Sequence, residues 1–184
     1  LLFIIDCFHT SIARKVDIQI SGNSQNSTDE LAKICYGMMK QMYNKEYSEL
    51  LELFYGIHVS ELSDNTTGDV LSLTPEPFSV LNLPIPSDNP TPTIYDCFDL
   101  YCSKELLTGD EAWKNEKTKE YQDVNRRFLF WSLPNIMIID LKRWTNYRIK
   151  NQIYVDAPLT NADFSKYVKG YNSNSYVYEL YGVC

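Results

Sequence analysis

The period of the hydrophobic pattern changes near Gly56, and this change limits the possible folds more than any other feature of the sequence. Before it, LLFIIDCFHTSIAR and the segment that starts at Ser27 repeat apolar residues at helical spacing. After it, IHVSEL and DVLSLT alternate apolar and polar residues as half-buried strands do. Helices followed by strands predict an α+β fold with N-terminal helices and a mostly antiparallel sheet.

The first part of the chain is predicted to form three helices. The second begins at Ser27, where Glu30 three residues later completes a capping box. Its apolar stripe is more typical of core packing than of a cofactor site. The stripe consists of Leu31, Ile34, Cys35, Met38, Met39 and Met42. The third helix, YSELLELFYG, is predicted to end at Gly56.

The rest of the chain is predicted to contain strands and one helix. Thr93 caps that helix, IYDCFDLYCSKEL. Strand patterns recur in four further segments. These are FSVLNLPIP, then RRFLFWSLPNIMIIDLKRW as two long strands parted by Pro134, then QIYVDAP and SYVYELYGVC.

The net charge limits the classes of binding partner, and the cysteine content indicates the cellular compartment. The net charge of −7 argues against nucleic acid or an anionic membrane as the main partner. Five cysteines, without a C-x-x-C pair, indicate free thiols in a reducing compartment, so we expect an intracellular protein of the cytoplasm or nucleus. No segment reaches the length of a membrane span, and no signal peptide is apparent. The chain opens without Met on an apolar helix, which is typical of a fragment.

Six segments, in order, resemble those of the ubiquitin-specific proteases, the ubiquitin carboxyl-terminal hydrolase family. They are FIIDCFHTSIAR, LLELFYGIHVSEL, PEPFSVLNLPIP, IYDCFDLYCSKELLTGDEAW, WSLPNIMIIDLKRW and YVYELYGVC. The resemblance implies part of one catalytic domain of the papain-like cysteine protease superfamily, with a thumb–palm–fingers architecture. Residues 1–54 would form the helical thumb part, 55–131 the fingers and connecting helix, and 132–184 the palm sheet.

The same resemblance implies a cysteine-type deubiquitinase. Such an enzyme binds ubiquitin or a ubiquitinated protein and hydrolyses the (iso)peptide bond at the C-terminal Gly of ubiquitin by thiol acyl transfer. The family's G-N-T-C box is expected upstream of Leu1 and its G-H-Y box after Cys184. We therefore expect no catalytic residue in this chain and no activity from the chain alone. An inactive ubiquitin-binding module of the same fold and an unrelated α+β interaction domain are the alternatives.

Two aromatic residues are candidate substrate contacts by resemblance. Trp144 stands where the family's L-K-R-F motif has Phe, and its alternative role is packing at the rim of the site. Tyr178 matches the Tyr of Y-x-L-x-A-V, and its alternative role is that of a sheet residue. The acidic stretch Asp110–Glu111 and the net negative charge suit the basic face of ubiquitin. His9 is expected to be structural, and it does not share a helix face with Cys7. His58 is expected in a strand near the fingers, far from the cleft.

The stretch WKNEKTK is predicted to be a finger tip without a metal. Many family members have W-x-C-x-x-C-K here, and two further cysteines complete a structural zinc site. The corresponding positions in this sequence are Asn115 and Thr118, with Asn65 and Gly68 for the second pair. None of these residues is a good zinc ligand, so we expect neither metal nor cofactor and fingers held by strand pairing and turns.

Overall fold

The computed structural model of the protein describes residues 1–116, 118–144 and 148–184. The helices are α1 (Leu2–Ile12), α2 (Ser27–Lys45), α3 (Glu49–Phe54) and α4 (Ile94–Tyr101). The longer strands are β1 (Gly56–Asp64), β2 (Val70–Phe78), β3 (Val80–Leu83), β7 (Val124–Ser132) and β8 (Ile138–Leu141). The short ones are β4 (Glu105–Leu107), β5 (Trp113–Lys114), β6 (Tyr121–Gln122), β9 (Ala162–Asp163) and β10 (Val177–Tyr178). In the part of the chain described, no helix is long and apolar enough to cross a membrane.

Four antiparallel strands form the largest sheet, in the order β2-β1-β7-β4. Alternate residues of β1 are buried, as the period of two in IHVSEL predicts. The predicted turn SDNTTGD joins β1 to β2, and its Gly68 has a φ of 77°, which favours glycine. The α+β class and the mostly antiparallel pairing are therefore confirmed.

The region after Pro134 contains a parallel strand pair. Strand β8 runs alongside β3, with Val80 opposite Ile138 and Leu83 opposite Leu141. Only the first of the two long strands predicted around Pro134 is long, since β7 has nine residues and β8 has four. A β-bridge between Phe130 and Val168 adds a further link between β7 and the last third of the chain.

Two hydrophobic clusters form the core. In the smaller one, the predicted stripe of α2 packs on the sheet, with Leu31 and Cys35 buried against Ile57, Val59 and Trp131. The larger one surrounds α4 and is rich in aromatic rings. Its buried residues include Phe78, Phe98, Phe130, Phe164 and Tyr167. The larger cluster thus joins residues of the sheet to residues of the C-terminal segments, and Phe98 of α4 lies at its centre.

Helix α1 exposes most of its apolar side chains. Of the residues of α1, only Ile5 is buried. Large apolar side chains with at least half of their surface exposed follow one another along it: Leu1, Leu2, Phe3, Ile4, Phe8 and Ile12. The helix is held to the body at its end, where His9 Nδ1 and Ser48 Oγ share a hydrogen bond of 2.7 Å.

Helix α2 begins at Ser27 as predicted, but its predicted cap and the predicted end of α3 are wrong. Asn26, not Ser27, caps α2, because its side chain accepts a hydrogen bond from the N–H of Asp29 at 2.9 Å. Gly56 does not end α3, which stops at Phe54, but is the first residue of β1. Glycine is needed at position 56 because the ring of Phe78 packs closely against the backbone there. A Cβ atom would lie 2.5 Å from Cζ of Phe78.

Three further element predictions are corrected. The α4 prediction is too long, because the chain leaves the helix after Tyr101 and then forms β4. The segment QIYVDAP makes a single bridge, Asp156 to Thr93, rather than a strand. In SYVYELYGVC only Val177 and Tyr178 form a strand, which pairs with β9.

Candidate functional site

Trp144 lies just after β8 on a narrow β-hairpin. It forms an antiparallel bridge with Lys150, whose Nζ lies 5.8 Å from the centre of the indole ring. The side chain is 66 % exposed. The ring is therefore available to a partner, and a cation already covers part of it.

Tyr178 has a different environment. Its hydroxyl donates to the carbonyl oxygen of Pro134 at 2.6 Å, and its ring meets Phe164 edge-on with 6.0 Å between ring centres. Burial raises the pKa of the phenol, so the hydroxyl stays protonated and continues to donate. One side of the ring lines a groove together with Leu133, Asn135, Asn172, Tyr176 and Val177. Most of this side chain is engaged in packing, and a smaller part is open to the groove.

The four positions that the resemblance assigns to zinc ligands lie in two turns. Asp64 opens the first, and its Oδ1 accepts hydrogen bonds of 2.7 Å from the N–H groups of Thr66 and Thr67. These bonds lower the pKa of Asp64. Gly68 closes the turn by donating its N–H to the carbonyl of Asp64 at 3.0 Å.

The second turn connects β5 to β6 and includes Asn115 and Thr118, while Lys117 of WKNEKTK lies outside the described residues. Asn115 donates its N–H to the carbonyl of Glu120 at 2.9 Å, and its amide lies 3.3 Å from Gln122 Oε1. The first turn contacts the start of β7, where Asn125 Nδ2 donates to Asn65 Oδ1 at 3.3 Å. Within the described residues, hydrogen bonds therefore engage groups of both turns.

Both histidines are engaged with partners other than cysteine. His9 bonds to Ser48 and has Glu46 at 3.7 Å. His58 shares a hydrogen bond of 2.8 Å with the hydroxyl of Tyr101 and has Glu76 Oε2 at 3.5 Å. Both side chains are only 13 % exposed.

The cysteines are free thiols in contrasting environments. Cys35 and Cys97 are buried, whereas Cys7 and Cys184 are exposed. Burial raises the pKa of Cys35 and of Cys102 to about 12, so neither is a ready thiolate near neutral pH. Within the described part of the chain no group of three or more metal-ligating side chains is present.

Sequence reasoning missed two features near the candidate residues. The first is the ion pair between Arg127 and the largely buried Glu61, for which the only signal is a charged residue at an inward position of an alternating strand. The second is the concentration of positive charge around Trp144, where LKRWTNYRIK contains four cations and no acid.

Comparison with known proteins gives a consistent result over nearly the whole chain. The family model described as "Ubiquitin carboxyl-terminal hydrolase" matches residues 4–184. Ubiquitin carboxyl-terminal hydrolase 9 of Arabidopsis thaliana is 38 % identical over 94 residues, which are 50 % of this chain and 10 % of that protein.

Two further relatives cover more of the chain. Ubiquitin carboxyl-terminal hydrolase 4 of Eremothecium gossypii is 31 % identical over 153 residues, 75 % of this chain and 18 % of that protein. Ubiquitin carboxyl-terminal hydrolase 2 of Homo sapiens is 29 % identical over 189 residues, 100 % of this chain and 31 % of that protein. The chain thus spans less than a third of the length of these relatives. With its α+β fold and the match to residues 4–184, the chain belongs to the ubiquitin carboxyl-terminal hydrolase family of ubiquitin-specific proteases.

Proposed function

We propose that the protein is a thiol-dependent deubiquitinase and that this chain forms part of the surface that grips ubiquitin. The match of the family model to residues 4–184 is the observation that carries the proposal. Ubiquitin or a ubiquitinated protein is the partner, and the bond cleaved is the (iso)peptide bond at the C-terminal Gly of ubiquitin. The free cysteines fit a reducing, intracellular location, in the cytoplasm or nucleus.

The proposed division of labour follows the three parts of the fold. Residues 1–54 supply helices of the thumb, 55–131 the fingers with helix α4, and 132–184 the strands of the palm. The four-stranded sheet β2-β1-β7-β4, with the turn that joins β1 to β2, supports the assignment of the fingers. The common core around Phe98 would fix the fingers relative to the palm.

We place the nucleophile and the general base outside these 184 residues. A nucleophilic cysteine needs a histidine within hydrogen-bond reach. Here His9 bonds to Ser48 and His58 to Tyr101, and the thiols of Cys35 and Cys102 have raised pKa values. These engagements support a chain that binds and positions ubiquitin while other segments carry out the chemistry.

The proposed contacts differ in what each can contribute. The exposed ring of Trp144 offers apolar area to the ubiquitin tail. Tyr178 would act through the side that faces the groove, because its hydroxyl is already bonded to Pro134. The exposed Asp110–Glu111 pair would speed association with the basic face of ubiquitin, and added salt would weaken that effect.

A ubiquitin derivative with an electrophile at its C-terminus tests the enzyme directly. A longer form of the protein that includes the family's Cys and His boxes is expected to form a covalent adduct, whereas the 184-residue chain is not. Turnover of a ubiquitin conjugate by the 184-residue chain, abolished by alkylation, would contradict the placement of the catalytic residues.

Variants at the candidate contacts test the surface. Trp144→Ala is expected to raise KM about tenfold in the active protein, the cost of a typical interface aromatic. Tyr154→Ala, which removes an aromatic ring that is 73 % exposed, is the matched control and should leave KM unchanged. Equal effects of both substitutions would count against a specific role for Trp144.

The second candidate function is a ubiquitin-binding module without catalysis. The engagement of both histidines away from the cysteines favours it for any form of the protein that lacks the two boxes. Such a module would bind ubiquitin measurably but would form no adduct with the electrophile.

A further inference from the structure

The hairpin that carries Trp144 concentrates positive charge in an acidic protein. Its cations are Lys142, Arg143, Arg148 and Lys150, and no Asp or Glu occurs from residue 142 to residue 155. The formal net charge of the chain is −7, so the residues other than these four carry −11 in total. We call the described residues Lys142, Arg143, Trp144, Arg148, Ile149 and Lys150 the cationic hairpin.

The cationic hairpin presents charge and apolar surface on one side. Trp144 and Lys150 are bridge partners, so their side chains stand on the same face. Trp144 is 66 % exposed on this face. A ligand that meets this face would therefore contact an indole ring and an ammonium group together.

The base of the cationic hairpin is firmly held. Arg143 Nη1 donates to the carbonyl oxygens of Asn151 at 3.3 Å and Ile153 at 2.6 Å. The N–H of Asn151 donates to the carbonyl of Arg143 at 2.6 Å, and the N–H of Lys142 donates to Leu83 at 2.9 Å. These bonds fix the position of the surface before any ligand arrives, which reduces the entropy lost on binding.

The remaining cations of the hairpin are not neutralised within the described part of the chain. Several exposed cations elsewhere have carboxylate partners, namely Arg14 with Glu49, Lys40 with Asp17, Arg126 with Glu105 and Lys166 with Asp99, while scattered ones such as Lys33 and Lys45 have none among the described residues. No such pair involves Lys142, Arg148 or Lys150, all of which are exposed, among the residues that the structure describes.

We propose that the cationic hairpin binds an acidic peptide segment of a partner protein. Carboxylates of the segment would pair with Lys142, Arg148 and Lys150, and an apolar residue between them would cover Trp144. This inference rests on the charge and geometry of the hairpin and does not require the protein to be an enzyme.

The charge distribution favours a short peptide over a more extended polyanion. A duplex or a membrane surface would extend beyond the hairpin and meet a body with −11 in charge. Repulsion acts over the Debye length of about 8 Å at physiological salt. A short acidic segment can remain within the hairpin and avoid that repulsion.

The test is a fluorescence-anisotropy titration with a short labelled peptide rich in Glu and Asp that contains one Phe. The Lys142→Glu/Lys150→Glu variant is expected to weaken binding at least about tenfold, because each reversal replaces an attraction by a repulsion. The matched control is Lys33→Glu/Lys45→Glu, which makes the same charge change at exposed positions of α2 and should weaken binding less than about twofold. Both proposals use Trp144, so the acidic segment would compete with the ubiquitin tail there. The charge reversals test the cations alone, and the adduct and Trp144→Ala assays test the ubiquitin proposal, so the two failures are distinguishable.

Each other outcome overturns the inference. Equal weakening by both double variants would show that net charge alone attracts the peptide. Absence of binding to the unmodified protein at low salt would remove the site. Tighter, hairpin-dependent binding of single-stranded DNA or of vesicles containing phosphatidylserine would assign the surface to that class of ligand. If the charge reversals prevent folding, Lys142→Gln/Lys150→Gln with Lys33→Gln/Lys45→Gln repeats the comparison.

Discussion

Arg127 and Glu61 face each other across strands β7 and β1, and Nε of the arginine donates to Oε1 of the glutamate at 2.6 Å. The Glu61 side chain is only 9 % exposed, and that of Arg127 is 38 % exposed. One guanidinium therefore balances a carboxylate that is almost removed from water. A neighbouring pair, Arg126 with Glu105, joins β7 to β4 in a far more exposed setting.

Arg127→Ala is expected to lower the free energy of unfolding by about 2 kcal/mol, because it leaves the Glu61 carboxylate buried without its partner. Arg126→Ala is the matched control and should cost less than about 1 kcal/mol, since its partner Glu105 is exposed. Chemical denaturation of both variants measures the difference. Equal losses would mean that the burial of Glu61 has no energetic consequence.

Gly56→Ala is expected to destabilise the protein by about 1–3 kcal/mol, as overpacking does. The added Cβ would lie 2.8 Å from the carbonyl oxygen of Ser132 and 2.5 Å from the ring of Phe78, so the backbone of β7 would have to shift. Gly37→Ala in α2 meets no atom within 4 Å and should instead raise stability by up to about 1 kcal/mol. Thermal unfolding of the pair should thus give changes of opposite sign.

The stripe of α2 and the alternation in β1 could be predicted because each depends on its own spacing and on one buried face. The absence of the strand predicted over QIYVDAP could not be foreseen. There Arg143 donates to the carbonyl of Ile153, which in a strand would accept a hydrogen bond from the neighbouring strand. That competition joins residues ten positions apart and leaves no periodic signal. The cap of α2 is Asn26 rather than the predicted Ser27. Both residues are good caps, and the backbone geometry selects between them.

Acidification is expected to weaken the fold through His58. Burial lowers the pKa of His58 below 6.5, and the nearby Glu76 carboxylate opposes this only in part. Since the folded state binds the proton less readily than the unfolded state, stability is fully present above about pH 6.5 and falls as the pH drops toward the lowered pKa.

The measurement is the free energy of unfolding at about pH 7.5 and about pH 5.5, a range in which histidine titrates before the carboxylates do. The loss of stability should be smaller in His58→Gln than in the unmodified protein. An identical loss in both proteins would exclude His58 as the source.

The fingers are expected to fold without zinc. Asn65, Gly68, Asn115 and Thr118 lie in turns closed by their own hydrogen bonds, and Gly68 has the positive φ that a Cys at that position would adopt only with strain. Purified protein should contain far less than one zinc per chain by elemental analysis. A chelator should leave the unfolding temperature unchanged, whereas chelation unfolds domains that depend on structural zinc.

The environments of the two candidate substrate contacts could not be predicted from the sequence. Trp144 is exposed, in agreement with a surface role, but its contact with Lys150 arises from a hairpin that the motif does not encode. Tyr178 bonds to Pro134, which lies 44 positions away in the sequence. Such long-range partners are set by the packing of the whole domain and cannot be deduced from a local pattern.

The apolar surface of α1 affects how the chain behaves in solution. Side chains such as Leu2, Phe3 and Phe8 meet water, while a net charge of −7 keeps separate molecules apart. Salt at 1 M shortens the range of that repulsion to about 3 Å. Dilute, low-salt buffers will therefore preserve separate molecules, and concentrated salt will drive them together through this helix.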